Sequence, residues 1–191
     1  MSVIVDQEVI DAAVEIADRA REITLRYFRQ PLAIQQKSDR SPVTVADQET
    51  ETLIREELAR RFPEHGFYGE ESGQSGTDAD WVWVVDPIDG TTSFSTGKPT
   101  FGTLIGLCYK GEPVLGLVDI SALDDRWLGV KGRPTLYNGQ AVTSNQDVRS
   151  IGDSSAYTTT TKMFNEQAMP RYLGLTSQCR FSVYGADCLG Y

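Results

Sequence analysis

Two carboxylates, a glycine and two threonines occur within one short segment, Asp86-Pro87-Ile88-Asp89-Gly90-Thr91-Thr92. Because this segment follows the apolar run at residues 81–85, Asp86 is expected at the end of a strand, which Pro87 prevents from continuing. Asp89 can then return to the same side of the turn, where two carboxylates suit a hard cation such as Mg²⁺. Backbone amides from Gly90 onward, if they open a helix, would point at an anion such as phosphate. The segment therefore indicates metal-assisted phosphoryl chemistry, although Asp, Pro and Gly also form ordinary turns.

A second acidic pair, Glu70-Glu71, precedes Ser72-Gly73 and lies shortly before the first segment. Adjacent glutamates before a Ser-Gly loop are usually solvated surface residues. Their closeness to Asp86 and Asp89, with apolar runs beside both pairs, favours a shared acidic site. A metal centre and a pair of polar turns both stay open as interpretations of the residues alone.

Other routes of group transfer lack their residues in this chain. The one histidine, His65, lies in a Pro- and Gly-containing turn and is expected to be a loop residue, which leaves little material for a Ser-His-Asp relay. No D-x-D-x-T segment signals an aspartyl-phosphate nucleophile, and no G-x-x-x-x-G-K-[ST] segment signals a P-loop. The remaining route is direct attack on phosphorus by metal-activated water.

The chain has 191 residues, of which 40% are hydrophobic and 24% charged, a composition typical of a globular protein. Its formal charge of −9, from 18 basic and 27 acidic residues, argues against nucleic acid or an anionic membrane as partner. Three widely spaced cysteines, Cys108, Cys179 and Cys188, indicate neither a disulfide framework nor a thiolate zinc site. No apolar run approaches the ~20 residues that span a bilayer, and we expect a cytoplasmic protein.

Two helices are predicted to precede the acidic segments. Apolar residues at spacings of three and four predict an amphipathic helix over residues 6–29, which stops before Pro31. A second helix is predicted from the N-cap Thr44 to the residue before Pro63. Asp47 stands in its first turn, where a negative charge is favourable whatever else the residue does. Lys37, in the polar turn between the helices, is by default a surface lysine.

Strands are predicted to follow the helices. The run at residues 81–85 is short and β-rich, and the runs at residues 101–109 and 113–120 predict a hairpin that turns at residues 110–112. Residues 126–130 and the tight-turn pair Asn138-Gly139 extend the antiparallel part. Helices followed by successive strands favour an α+β fold.

The composition turns polar after Asn145 and predicts two domains. We expect an N-terminal α+β metal-binding domain over residues 1–145 and the start of a C-terminal α/β domain over residues 146–191. Residues 181–184 predict one more strand close to the end of the chain, so the second domain is expected to be incomplete.

Three motifs occur in the order that is typical of the inositol monophosphatase superfamily, which this chain resembles from the first helix to the last residue. They are Lys37-Ser38-Asp39 with Pro42-Val43-Thr44 and Asp47, then Gly69-Glu70-Glu71-Ser72, then Trp83-Val84-Val85-Asp86-Pro87-Ile88-Asp89-Gly90-Thr91-Thr92-Ser93-Phe94. The resemblance implies a layered αβαβα sandwich with an antiparallel N-terminal sheet. It also implies Mg²⁺ as cofactor, with two or three ions per complete site, a small phosphate monoester as substrate, and a homodimer.

The resemblance further implies a set of metal ligands. The first metal is expected to bind Glu70, Asp86 and the backbone carbonyl of Ile88. The second metal is expected to share Asp86 and to bind Asp89. Glu71 resembles a further catalytic carboxylate, acting beside these metals or on a third one.

Catalytic and substrate-binding roles are implied in the same way. Thr91, oriented by Asp47, resembles the pair that positions and activates the attacking water. The residues expected to contact the phosphate substrate are Gly90, Thr91, Thr92, Asp89 and Lys37.

Within the superfamily the chain is most similar to histidinol-phosphate phosphatases. The residues that carry this likeness are Ser93-Phe94-Ser95-Thr96-Gly97-Lys98-Pro99, Gly102-Thr103-Leu104-Ile105-Gly106-Leu107, Arg126-Trp127-Leu128-Gly129-Val130 and Tyr184-Gly185-Ala186-Asp187-Cys188. The expected reaction is hydrolysis of L-histidinol phosphate to L-histidinol, a step of histidine biosynthesis. Inositol-1-monophosphatase activity, 3′(2′),5′-bisphosphate nucleotidase activity and non-catalytic binding of metal and phosphate are the alternatives.

One departure from the superfamily pattern concerns the second metal. The last motif of the superfamily, W-D-x-A-A, supplies a further Asp ligand and has no counterpart before Tyr191. We therefore expect the metal site of these 191 residues to lack one carboxylate.

Overall fold

The computed structural model of the protein describes residues 4–31, 35–36 and 42–190. The chain divides into two compact units, Met1–Val142 and Thr143–Tyr191. No helix in the described ranges is long and apolar enough to cross a membrane.

The helices and strands are numbered in chain order. The α-helices are α1 (Gln7–Tyr27), α2 (Val45–Arg61), α3 (Thr91–Ser95) and α4 (Ala168–Thr176). The strands are β1 (Gln35–Gln36), β2 (Pro42–Val43), β3 (Gly66–Gly69), β4 (Gly73–Ser75), β5 (Trp81–Asp89), β6 (Gly102–Tyr109), β7 (Glu112–Ile120), β8 (Asp125–Val130), β9 (Thr135–Tyr137), β10 (Gln140–Val142), β11 (Ser155–Thr158) and β12 (Phe181–Tyr184). Single-turn 3₁₀ helices span Ser121–Leu123, Ile151–Asp153, Thr161–Met163 and Asp187–Gly190.

Both predicted N-terminal helices are confirmed. The buried face of α1 consists mainly of alanine and isoleucine, whose spacing follows the helical period: Ile10, Ala12, Ala13, Ile16, Ala17, Ala20 and Thr24. Helix α2 starts at the predicted N-cap, because the Thr44 hydroxyl accepts from the amide of Ala46 and the Asp47 carboxylate accepts from the amide of Thr44. This reciprocal cap satisfies amides that the first helical turn cannot bond internally.

The first unit is built on an eight-stranded sheet with the order β10-β9-β8-β7-β6-β5-β3-β4. Its neighbouring strands are antiparallel except for β3 and β5, which are parallel. The sheet expected to be antiparallel is therefore antiparallel except at this pair. Strand β4 is the edge strand and pairs antiparallel with one side of β3. The chain then crosses to the other side of β3, where β5 runs parallel to it.

Helices α1 and α2 cover one face of this sheet. Side chains that point to the helices alternate along the strands with side chains on the other face, as the period of two requires. The core joins the helices and strands through one cluster that includes Ile16, Ile54, Trp83, Val85, Ile105, Leu107 and Leu117. This packing fixes α2 rigidly above the strands that carry the acidic segments.

Strand β5 runs further than the sequence indicates. It continues through Pro87 to Asp89, with a shift of register against β6 between Asp86 and Asp89. The prediction that Pro87 ends the strand is therefore wrong. Proline is tolerated at such a bulge because the ladder is already interrupted there, and Thr103 Oγ1 donates to the Pro87 carbonyl at 2.8 Å.

The hairpin predictions are confirmed. Strands β6 and β7 are antiparallel and turn at Lys110 and Gly111, which both have positive φ, of 51° and 81°. The pair Asn138-Gly139 joins β9 to β10 with φ values of 46° and 78°. Two positive φ angles in a two-residue turn match the twist of the flanking strands.

The predicted loop position of His65 also holds, but the residue packs against aromatic rings. Its ring stacks on Phe62 and Trp81, and its Nδ1 accepts from Trp83 Nε1 at 3.0 Å. Burial lowers the pKa of His65. His65 thus serves as a neutral acceptor for an indole of the core.

The second unit contains a β-α-β arrangement. Strand β11 pairs in parallel with β12, and α4 lies between them in the chain. The strand predicted at residues 181–184 is confirmed as β12.

Candidate active site

The parallel pairing of β3 with β5 brings the two acidic segments together. Gly69 pairs with Val85, and the amide of Glu70 donates to the Val85 carbonyl at 3.1 Å. The next residue after Val85 is Asp86. Residues at equivalent positions on neighbouring parallel strands are adjacent, so Glu70 and Asp86 lie side by side.

The electrostatic environment of Asp86 is strongly unfavourable to its ionised form. Burial raises the pKa of Asp86 to about 9, with further contributions from the charge and hydrogen bond of Glu70 and from the charges of Asp89 and Asp47. Its Oδ1 atom is buried and makes no hydrogen bond within the described part of the chain. A carboxylate held among other carboxylates in this way is a strong candidate for a functional group.

The segment after Asp89 forms a turn into a short helix. Gly90 has φ 82° and ψ 38°, a left-handed conformation that disfavours residues with a Cβ, and α3 begins at the next residue. The amide of Phe94 bonds to the Gly90 carbonyl at 3.0 Å, which closes the first helical turn. The expectation that Gly90, Thr91 and Thr92 open a helix is confirmed.

Asp47 and Thr91 are brought together across 44 residues. Asp47 is fully buried, and its Oδ2 accepts from the amide and the hydroxyl of Thr44 at 2.8 and 2.6 Å. Its Oδ1 lies 3.4 Å from Thr91 Oγ1, and the same hydroxyl lies 3.1 Å from the carbonyl oxygen of Ile88. Burial raises the pKa of Asp47, against the opposing effect of the hydrogen bonds from Thr44 and Thr91.

The turn that carries Glu71 is held from α2. Glu51, which sequence reasoning missed, accepts from the amide of Glu71 at 2.8 Å and from the amide of Ser72 at 2.6 Å. Its sequence signal was its position four residues after Asp47, on the buried face that also carries Ile54. A charged residue on a buried helix face needs polar partners, and these amides are its partners.

Thr103 is a second residue that the sequence did not single out. It is buried on β6, and its bond to the Pro87 carbonyl holds the bulge between Asp86 and Asp89. A threonine in a strand is common, so the sequence offered no signal for this role. Lys37, expected to contact substrate, lies outside the described residues.

The carboxylates of the site are the ligand type that a hard metal ion prefers, but in the described part of the chain their side chains do not converge on one point. Within residues 4–31, 35–36 and 42–190, no three Asp, Glu, His or Cys side chains converge in a ready metal-binding arrangement. The chemistry nevertheless fits a hard cation, because Asp86 has a buried oxygen with no hydrogen bond to any described residue and lies close to the charges of Glu70, Asp89 and Asp47. A divalent cation would reverse the sign of that field and favour the ionised carboxylates.

Comparison with known proteins identifies relatives along most of the chain. The chain is 43% identical over 178 residues to the chloroplastic bifunctional phosphatase IMPL2 of Arabidopsis thaliana, covering 92% of this chain and 51% of that protein. It is 37% identical over 150 residues to a histidinol-phosphatase of Chlorobaculum parvum, covering 78% of this chain and 56% of that protein. The chain thus spans only about half the length of these two relatives.

Longer coverage is found in two further comparisons. A histidinol-phosphatase of Mycobacterium tuberculosis is 36% identical, with 94% of this chain and 71% of that protein covered. The structure of an inositol monophosphatase from Zymomonas mobilis superimposes with a TM-score of 0.84 at 37% identity, covering 95% of this chain and 70% of that one. The fold is therefore the α+β fold of inositol monophosphatases, whose family is generally metal-dependent. Residues 5–191 match the inositol monophosphatase family as a whole, and the chain belongs to that family.

Proposed function

We propose that the complete protein hydrolyses a small phosphate monoester with Mg²⁺ as cofactor, and that L-histidinol phosphate is its preferred substrate. The observation that carries the proposal is the environment of Asp86. Burial and three neighbouring carboxylates oppose its ionisation, an arrangement that is costly unless a cation occupies the site.

Glu70, Asp86, Asp89 and the Ile88 carbonyl are the proposed holders of Mg²⁺, with Glu71 beside them. When bound, Mg²⁺ would neutralise phosphate charge and activate the attacking water. The fold positions these ligands. The register of β3 and β5 places Glu70 beside Asp86, and the bulge in β5 brings Asp89 back towards Asp86.

The remaining groups are proposed to act on water and phosphate. The Asp47 carboxylate faces the Thr91 hydroxyl and can take up a proton that this hydroxyl passes on from water. The amides of Gly90, Thr91 and Thr92 lie at the start of α3, where N–H groups have no partner within the helix and can stabilise charge on the transferring phosphoryl group. Lys37 is proposed to add a positive charge near the substrate.

The preference for L-histidinol phosphate is supported by the two relatives named histidinol-phosphatase. Inositol monophosphate is a second candidate, because the Zymomonas mobilis inositol monophosphatase has the same 37% identity to this chain as the relative from Chlorobaculum. A homodimer and a place in histidine biosynthesis remain predictions from the resemblance, and a cytoplasmic location remains a prediction from the composition.

The test is phosphate release by the full-length protein after EDTA treatment, with and without added Mg²⁺. L-Histidinol phosphate, inositol 1-phosphate and adenosine 3′,5′-bisphosphate are compared by kcat/KM. We expect Mg²⁺-dependent turnover, highest with L-histidinol phosphate, and its loss in Asp89→Asn but not in the exposed control Asp78→Asn. Turnover that persists in EDTA, or Mg²⁺ and phosphate binding without turnover of any of the three esters, would contradict the proposal.

A further inference from the structure

Glu51 on α2 is buried, with 1% of its surface exposed, although it carries a carboxylate. Each of its two oxygens accepts one backbone amide, Oε2 from Glu71 and Oε1 from Ser72. Such charge-assisted bonds are stronger than bonds between neutral groups. Both oxygens of the Glu51 carboxylate are therefore bonded to the backbone of the turn that follows β3.

The hydrogen bonds to Glu51 begin where the backbone pairing between β3 and β5 ends, so they hold the segment that the sheet no longer holds. Strand β3 ends at Gly69, and the bond from the Glu70 amide to Val85 extends the pairing by one residue. The next two amides are those of Glu71 and Ser72, and Glu51 supplies the acceptors for both. Without them these amides would lose their hydrogen-bond partners inside the protein, and the turn would lose its fixed position.

Glu51 belongs to a row of side chains on one face of α2. Asp47, Glu51 and Arg55 are four residues apart, a spacing that places side chains above one another on a helix. Asp47 lies next to Thr91, Glu51 binds the amides of the Glu70–Glu71 turn, and Arg55 donates to Ser72 Oγ at 3.0 Å. One rigid helix thus contacts both acidic segments of the site.

Gly69 gives independent evidence that the approach of Glu51 is close. A Cβ at Gly69 would lie 2.6 Å from the carboxylate carbon and from Oε1 of Glu51, and 2.6 Å from a ring carbon of Phe67. Contacts this short do not occur, so a side chain at position 69 would have to displace the carboxylate. Glycine at this position admits Glu51 to the turn.

We propose that Glu51 is a positioning residue, which binds no substrate or metal itself and sets Glu70 and Glu71 against Asp86 by holding the backbone between β3 and β4. The inference rests on the proposed function for the role of these carboxylates. It goes beyond it in assigning the geometry of the metal site to a residue of α2.

The test uses Glu51→Gln in the full-length protein. Glutamine has nearly the same shape, but its side chain has one acceptor oxygen and one NH₂ donor. In Glu51 each oxygen accepts from one backbone amide, so in the variant one of these two amides faces a donor and loses its bond. The matched control is Glu56→Gln, the same change at an exposed position of α2.

Two measurements need no substrate. Mg²⁺ affinity is measured by calorimetry with Mg²⁺ alone, and hydrogen exchange of the Glu71 and Ser72 amides is measured by NMR. We expect the dissociation constant of Mg²⁺ to rise roughly 10- to 100-fold, as is usual when groups that orient metal ligands are changed. Exchange of one or both amides should become roughly tenfold faster, while Glu56→Gln leaves both quantities unchanged.

Kinetics provide a third measurement. A displaced metal ligand should lower kcat at subsaturating Mg²⁺ and recover much of it at high Mg²⁺. Because Mg²⁺ that binds the folded state would also reverse partial unfolding, the metal-free variant must first show the circular dichroism spectrum of wild type. Gly69→Ala should reproduce the weaker Mg²⁺ binding by moving the carboxylate.

Unchanged Mg²⁺ affinity together with unchanged exchange at Glu71 and Ser72 in Glu51→Gln would overturn the inference. Weaker Mg²⁺ binding in this variant, in a protein that hydrolyses none of the three esters, would uphold the inference and reject the proposed function. The two failures are therefore distinguishable.

Discussion

Asp47 Oδ1 and Thr91 Oγ1 lie 3.4 Å apart, although one belongs to the first turn of α2 and the other to the first residue of α3. The other oxygen of Asp47 is engaged by the cap residue Thr44. One buried carboxylate therefore joins the start of a structural helix to the start of the proposed phosphate-binding helix.

This relationship predicts a large loss of activity in Asp47→Asn. An amide cannot take up the proton from water, and general-base catalysis contributes about 10²- to 10⁴-fold, so kcat should fall within that range. Asp153→Asn is the control, because Asp153 forms the same kind of capping box with Ser150 in the second unit. Equal losses of kcat in the two variants would reject a catalytic role for Asp47.

Asp86 predicts an unusual pH dependence of stability in the metal-free protein. Its pKa is raised in the folded state to about 9, so between about pH 4, near its unfolded value, and pH 9 the folded protein binds more protons than the unfolded one. Stability from this group is present below the unfolded pKa and is lost as pH rises towards the folded pKa. Urea unfolding in EDTA should therefore show Asp86→Asn gaining stability over wild type at pH 8, with the difference shrinking towards pH 4.

The control for this comparison is Asp78→Asn, which changes an exposed aspartate and should follow the wild-type pH profile. Added Mg²⁺ should stabilise wild type at pH 8 and have little effect on Asp86→Asn. A pH profile of Asp86→Asn parallel to that of wild type would show that Asp86 is ionised without penalty.

His65 predicts a pH dependence of the opposite sign. Burial lowers its pKa below the usual value of 6.5, and protonation of Nδ1 would set two donors against each other at Trp83. The stability from neutral His65 is present above the unfolded pKa and is lost as pH falls through the folded pKa. Wild type should therefore lose stability relative to His65→Gln between pH 7 and pH 5, since glutamine keeps an acceptor that does not titrate.

NMR can check this prediction directly, because the chain has one histidine and its ring signal is unambiguous. A folded-state pKa at or above the usual histidine value would contradict a buried, neutral acceptor at this position.

We predict that the bulge of β5 depends on the hydroxyl of Thr103. Thr103→Val keeps the shape of the side chain but removes the donor to the Pro87 carbonyl, and loss of a buried partner costs about 1–3 kcal/mol. The free energy of unfolding should fall by that amount, and Mg²⁺ affinity should fall with it because Asp86 and Asp89 flank the bulge. Thr52→Val removes a comparable bond on the exposed surface of α2 and should change both quantities little. Equal effects of the two changes would show that the bulge is held by other contacts.

Much of the fold could be predicted because it follows from local rules. The helical period, the Thr44 cap and the two-residue turns act within a few residues, and α1, α2 and the β6–β7 hairpin were found where these signals place them. The sequence predicts too early an end for β5, because proline lacks the N–H donor of a strand residue and usually ends a strand. Its tolerance at position 87 depends on the register of β6 and on the hydroxyl of Thr103.

The sequence by itself determined which residues could do the chemistry: the carboxylates, the glycine and the threonines occur in short motifs that can be recognised without coordinates. Only the tertiary structure decided how they meet. The parallel pairing of β3 with β5 puts Glu70 beside Asp86, and the packing of α2 on the sheet brings Asp47 to Thr91 and Glu51 to the Glu71 turn. These contacts join residues 16 to 44 positions apart, as from Glu70 to Asp86 and from Asp47 to Thr91. Their closeness depends on the register of strands and the seating of a helix, which no local pattern specifies.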